Sequence, residues 1–240
     1  MPQDRTNDLG QPVGFAVEGW QPAAPPPRTA MSGRTCTLEP IDPARHAADL
    51  FAANAEDADG RNWTYLPYGP FAAPADYEAW MAETCRGDDP LFHAVVDAAT
   101  GQATGLASYL RINPVVGSIE LGHINWSPRL QGKTAATEAM VLMMRRAFDE
   151  LGYRRYEWKC DALNERSCAA ARRLGFTFEG VFRQAVIYKG RNRDTAWFSM
   201  LDAEWPRHRT AFERWLAATN FDAAGRQRMR LADLRGPESG

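Results

Sequence analysis

The 240-residue chain is poor in cysteine and has no C-x-x-C pair. Its four cysteines, Cys36, Cys85, Cys160 and Cys168, are too few and too scattered for a disulfide scaffold, and their spacing predicts no metal site. No stretch approaches the roughly 18 unbroken apolar residues of a membrane helix, so no membrane partner is expected. The first ten residues are polar, with no basic segment leading into an apolar run. No leader is therefore expected, and a reduced cytoplasmic setting is the default. Internal repeats are absent. Lysine is missing from the first 128 residues, which hold 7 Arg against 16 Asp and Glu, a balance of −9. Residues 129–240 hold 21 Lys and Arg against 14 Asp and Glu, a balance of +7, and the two halves give the net −2. That small total argues against a nucleic-acid binder. The basic half suits an anionic ligand, although a mixed solvated surface would look the same. With 45% hydrophobic and 24% charged residues the chain can build an ordinary core.

Three regions are expected. Residues 1–34, with Pro22 and the run Pro25-Pro26-Pro27, form an extended arm, with one short strand over 13–20. Residues 35–205 carry regular signals. Residues 206–240 form a polar, partly amphipathic helical tail. Within the middle region the spacing predicts a strand from Thr35, a helix over 43–54 capped by Asp42, an aromatic loop over 61–71 and a helix over 75–85. Strands follow over 91–96, 105–112 and 118–126. The loop 127–134 then opens into a helix with the stripe Ala136, Met140, Met143, Ala147 and Leu151. A strand over 153–161, a helix from Asn164 to Leu174 stopped by Gly175, and a terminal hairpin complete it. Strands grouped ahead of an alternating half predict an α+β layered fold with a mixed sheet.

The strand–loop–helix unit from Glu120 to Arg146 is the strongest local feature. Unpaired amides at a helix N-terminus, with the helix dipole behind them, attract anions. Gly132 would let the backbone approach a ligand, and Lys133 adds a cation. The G-x-x-x-x-G-K-[ST] and G-x-G-x-x-G spacings are both absent. An ordinary strand-to-helix connection would carry the same residues.

Arg129-Leu-Gln-Gly132-Lys-Thr134, followed by Ala135-Ala-Thr-Glu-Ala139, resembles the pyrophosphate loop of the GNAT superfamily of N-acetyltransferases, R/Q-x-x-G-x-G/A. Asn164-Glu-Arg-Ser167 with Arg173-Leu-Gly-Phe176 resembles that family's second coenzyme-A motif, and Gly190-Arg-Asn-Arg-Asp194 resembles the end of the domain in its ribosomal-protein N-terminal acetyltransferase branch. The resemblance spans residues 35–205. Thr134 departs from the pattern's Gly or Ala, and Ala171 stands where many members carry a tyrosine acid.

The resemblance implies the GNAT acyl-CoA N-acyltransferase fold, with a splay after the fourth strand and helices on both faces. It implies acetyl-CoA as cosubstrate, no metal, and direct transfer to a primary amine, either a protein N-terminus or a small molecule. Amides from Gln131, Gly132, Lys133, Thr134, Ala135 and Ala136 would cradle the pyrophosphate. The splayed strand Ile124, Asn125, Trp126 and Ser127 would grip the pantetheine, aided by Asn164, and Arg173 would meet the 3′-phosphate. Ser167 matches the branch's acid. The branch's basic glutamate aligns with Val186, so Glu120, acting through water, is the expected base. His123 falls on the opposite face unless a bulge intervenes. Tyr65 and Tyr68 are expected at the acceptor, and Trp63 in packing. A succinyl donor, a non-catalytic acyl-CoA sensor and a basic nucleic-acid binder are the alternatives. The arm and tail offer surface for a homodimer.

Overall fold

A computed structural model describes residues 5–236; the remaining residues of the expected arm and tail, 1–4 and 237–240, lie outside the described residues. Eight strands form one sheet in the order β1-β2-β3-β4-β5-β6-β8-β7. They are β1 (Met31–Ser32), β2 (Cys36–Pro40), β3 (Leu91–Asp97), β4 (Ala103–Asn113), β5 (Ser118–Trp126), β6 (Arg155–Asp161), β7 (Thr177–Tyr188) and β8 (Arg191–Leu201). All neighbours are antiparallel except β5 and β6. Their parallel pairing needs a crossover, which α3 (Thr134–Arg145) supplies.

Two apolar clusters sandwich the sheet. On one face α1 (Pro43–Asn54) and α2 (Pro74–Thr84) bury Leu50, Tyr77 and Met81 against Phe92 and Leu106. On the other, α3, α4 (Glu165–Leu174), α5 (Trp205–Leu216) and α6 (Leu231–Arg235) bury Met140, Met143, Ala171 and Phe212 against Ile119, Tyr156 and Phe198. Each fully buried large side chain contributes roughly 1.5–3 kcal/mol. Local signals set the ends: the Asp42 carboxylate accepts from Ala44 N, the Asn164 side-chain oxygen Oδ1 accepts from Ser167 N, and Gly175 at φ 98 ends α4 in the left-handed region.

Two expectations are corrected. Residues 13–20 form no strand, because the arm crosses the β4–β5 turn instead of following a sheet edge. There Trp20 Nε1 donates to Val115 O and Ala23 N to Pro114 O, at 2.8 and 3.0 Å. The arm is held further on by Arg146, which is 6% exposed and donates to Thr29 O and Ala30 O. The tail is not one helix. Buried Asn220 donates to Trp215 O and Met229 O and accepts from Met229 N, folding the chain back after α5.

Candidate active site

The pairing of β5 with β6 runs from Ser118↔Arg155 to Leu121↔Trp158 and stops there, although β5 continues to Trp126 and β6 to Asp161. Gly122, Asn125 and Trp126 therefore pair with β4, while none of residues 122–126 pairs with β6. The gap opens into a cavity of about 1090 Å³ between the 61–67 loop, the first turn of α4 and the floor of β5, β6, β8 and β7.

Two bulges shape the cavity. β4 and β5 slip register between Gly122 and Asn125, where His123 takes φ 51, and again between Leu110 and Asn113, where Arg111 takes φ 47. Such a backbone costs about 1–3 kcal/mol at a non-glycine residue and turns the side chain off its normal alternation. The first bulge brings His123 into the wall on the same side as Glu120. Its Nδ1 lies 3.3 Å from the Tyr68 hydroxyl, and burial with nearby Arg111 lowers its pKa to about 4. His123 is thus a neutral imidazole near pH 7. At the second bulge Asp89 accepts from the Arg111 and Ile112 amides.

The loop after β5 binds itself before it can bind anything else. Ser127 O accepts from Leu130 N and Gln131 N, Leu130 O from Lys133 N, and Lys133 O from Ala136 N. Gln131, Lys133 and Ala136 are consequently not free donors, contrary to expectation. The amides of Gly132, Thr134 and Ala135 have no acceptor among the described residues. Gly132 holds φ 71, with open space where a Cβ would stand. Thr134 simply starts the right-handed α3. Ser127 turns away from the gap: its hydroxyl donates to Thr104 O at 2.6 Å and it is fully buried. Ile124, Asn125 and Trp126 do line the gap. The Asn125 amide, 2% exposed, finds no partner for either polar atom. Trp126 O accepts from Gln131 Nε2 and Asn62 Nδ2. Free amides, an open strand edge and an orphaned Asn125 together fit a ligand with a diphosphate and an amide-bearing arm.

The floor is a row of alternating charges. Arg111 Nη1 lies 2.7 Å from both Glu120 oxygens, and Lys159 Nζ bridges Glu120 Oε2 and Glu157 Oε2 at 2.8 and 2.7 Å. Arg155 continues the row to Glu157 and Glu179. Burial would raise the Glu157 carboxyl, but Arg155 and Lys159 outweigh it and hold it below the usual range. Lys159, 8% exposed, also sits 3.7 Å from the centroid of the Trp197 ring. Of these residues only Glu120 was expected to take a catalytic part. The signal for the rest was the run Arg155, Glu157, Lys159 on one face of a strand flanked by core.

Ser167 faces the cavity from α4. Its oxygen accepts from Trp158 Nε1 at 3.0 Å and does not cap the helix, and its hydroxyl also faces the Cys160 sulfur as a donor. The adjoining Cys160 thiol is pushed up to about 12 by burial. Asn164 and Tyr65 also line the cavity, with the Tyr65 hydroxyl donating to Leu163 O. Tyr68 does not. It lies between Trp80, 4.2 Å away, and His123 in the aromatic cluster around Trp63. Arg173 also points elsewhere, donating to Thr137 Oγ1 and lying over Trp215, because it occupies the α4 face turned to the tail. Arg166, two turns earlier, borders the cavity instead.

Among the described residues no group of His, Cys, Asp and Glu could hold a metal, and no helix is long and apolar enough to cross a membrane. Residues 36–177 match the family model described as an acetyltransferase (GNAT) domain. A GCN5-related N-acetyltransferase from Brucella melitensis is 46% identical, with TM-score 0.89 over 91% of this chain and 99% of that one. A structure from Chromobacterium violaceum ATCC 12472, titled a probable acetyltransferase of the GNAT family, is 44% identical, with TM-score 0.76 over 82% and 98%. A Bacillus subtilis (strain 168) protein named "Putative ribosomal N-acetyltransferase YdaF" is 30% identical over 172 residues, 70% of this chain and 90% of that protein.

Proposed function

The chain belongs to the GNAT acetyltransferase family, and from that premise we propose that it moves an acetyl group from acetyl-CoA to a primary amine by direct attack. The observation that carries this reading is the unpaired edge of residues 122–126 beside three partnerless amides at the start of α3. Gly132, Thr134 and Ala135 would donate to the diphosphate, with the dipole of α3 behind them and the exposed Lys133 alongside. Ile124, Asn125 and Trp126 would pair with the pantetheine arm as a further strand, and Asn164 would close over it. Bound there, acetyl-CoA supplies an activated acyl carbon and a thiolate leaving group.

The Ser167 hydroxyl, its oxygen already engaged by Trp158, is assigned the donation of a proton to the departing sulfur. For the amine proton the geometry favours His123 over Glu120. Both Glu120 oxygens are taken up by Arg111 and Lys159, whereas the His123 ring lines the cavity wall beside them. Glu120 is assigned to holding the floor. Tyr65 borders the acceptor side.

The test is thiol release from acetyl-CoA with a panel of primary amines, alongside calorimetry with coenzyme A. Ser167→Ala is expected to lower kcat roughly 100-fold while leaving the KM for acetyl-CoA within about twofold. Heat without thiol release on any amine would make the protein an acyl-CoA sensor. No heat at all would end the reading.

A further inference from the structure

The cavity floor toward the hairpin carries donors that the protein does not use. Arg193, Thr195 and Trp197 alternate along β8, so all three side chains face the cavity. Each leaves a buried polar atom with no partner: Arg193 Nε, Thr195 Oγ1 and Trp197 Nε1. Thr195 is 5% exposed. A buried unpaired donor is destabilising, so three in line along one strand are costly unless a ligand satisfies them.

The nearby acceptors are already occupied. Glu120 is bound by Arg111 and Lys159, and the Asp161 oxygens accept from Tyr188 Oη and Leu163 N. Charge points the same way. Five cations border the cavity, Arg61, Arg111, Lys159, Arg166 and Arg193, against the two carboxylates. Arg61 is paired with Asp59, and Arg111 and Lys159 hold Glu120. Arg166 stands on α4 beside Asn164, toward the proposed coenzyme. Arg193 makes no ion pair among the described residues, and its guanidinium lies on the hairpin side over the Tyr188 ring. Phe182, opposite Thr195 on β7, packs on Trp197 at 4.5 Å and gives this corner an apolar lid.

The geometry points to a carboxylate-binding subsite formed by Arg193, Thr195 and Trp197, which selects an acid group carried either by the acceptor amine or by the transferred acyl chain. A guanidinium, a hydroxyl and an indole N–H around one anion make charge-assisted bonds, stronger than those between neutral partners. Polyamines, as like charges, would be excluded. The inference rests on the acyltransferase reading and narrows its substrate class.

Two arms separate the sources. In the first, acetyl-CoA is offered with α-amino acids and with their α-carboxamides. In the second, succinyl-CoA is compared with butyryl-CoA on one neutral amine. Wild type is expected to favour the acid in one arm by roughly tenfold or more in kcat/KM. Arg193→Gln should abolish that preference by raising KM for the acid, with the KM for acetyl-CoA unmoved. Thr195→Val, which keeps the shape of the side chain, should weaken it. Equal rates for acid and neutral partner in both arms, or an equal loss for both in Arg193→Gln, would overturn the subsite while leaving acetyl transfer intact. Should no amine release thiol, the acyltransferase reading fails on its own. Calorimetry of the acids against wild type and Arg193→Gln then decides the subsite: tighter binding to wild type supports it, and indistinguishable heats overturn it.

Discussion

On the β5–α3 side the cavity offers main-chain groups: the open edge of residues 122–126 and the amides of Gly132, Thr134 and Ala135. On the β6–β8 side it offers side chains: Lys159, Asp161, Arg193, Thr195 and Trp197. Every residue but proline carries an N–H, so the first wall survives most substitutions and suits a ligand that never changes. One substitution rewrites the second wall, which is where specificity for a variable partner can be set. The two walls should therefore fail differently.

The largest effect is expected on the side-chain wall. Lys159→Met leaves Glu120 and Glu157 buried without their shared cation, and breaking a buried pair from one side costs about 3–5 kcal/mol. Chemical denaturation should show that loss. A change below 1 kcal/mol would mean that the charged row is not what holds the floor.

Acid should come next. His93, His123 and His208 are each held neutral, with burial the main cause, at a pKa of about 4 against 6.5 when unfolded. Between those values the unfolded chain binds more protons than the folded one. Stability is therefore full above about pH 6.5 and lost as pH falls toward 4, by at most ~3 kcal/mol per histidine. His93→Asn should flatten part of the slope in a series of melting curves across that window. Only His123 lies at the cavity, so the coenzyme's affinity should hold while global stability falls.

The smallest effect probes the main-chain wall directly. Thr134 opens α3, a position proline favours, and Lys133 before it has φ −85 and ψ 156, which suits a residue preceding proline. Thr134→Pro removes one N–H that the protein leaves unpaired. Folding stability should stay within about 0.5 kcal/mol, while the Kd for coenzyme A should rise roughly tenfold. Unchanged affinity would show that this amide does not face the ligand.

Local pattern alone determined much of the protein. The spacing of apolar residues, Asp42 and Asn164 as caps, Gly175 as a stop and the order of strands and helices are short-range effects, and β5, α1 and α4 lie where the sequence puts them. The loop at Gly132 and the Asn164–Ser167 turn were legible for the same reason. Tertiary structure decided the rest. A bulge at His123 shifts side-chain parity by one residue, and no periodicity in β5 announces it. Which loop amides remain free depends on how Ser127 O and Leu130 O are spent. The directions of Tyr68 and Arg173 are set by Trp80 and Trp215, and Arg193, Thr195 and Trp197 share a cavity with β5 only because β8 inserts between β6 and β7. Elements are written in neighbouring residues, whereas a cavity wall is assembled from strands far apart in the chain, whose pairing is known only once they have met.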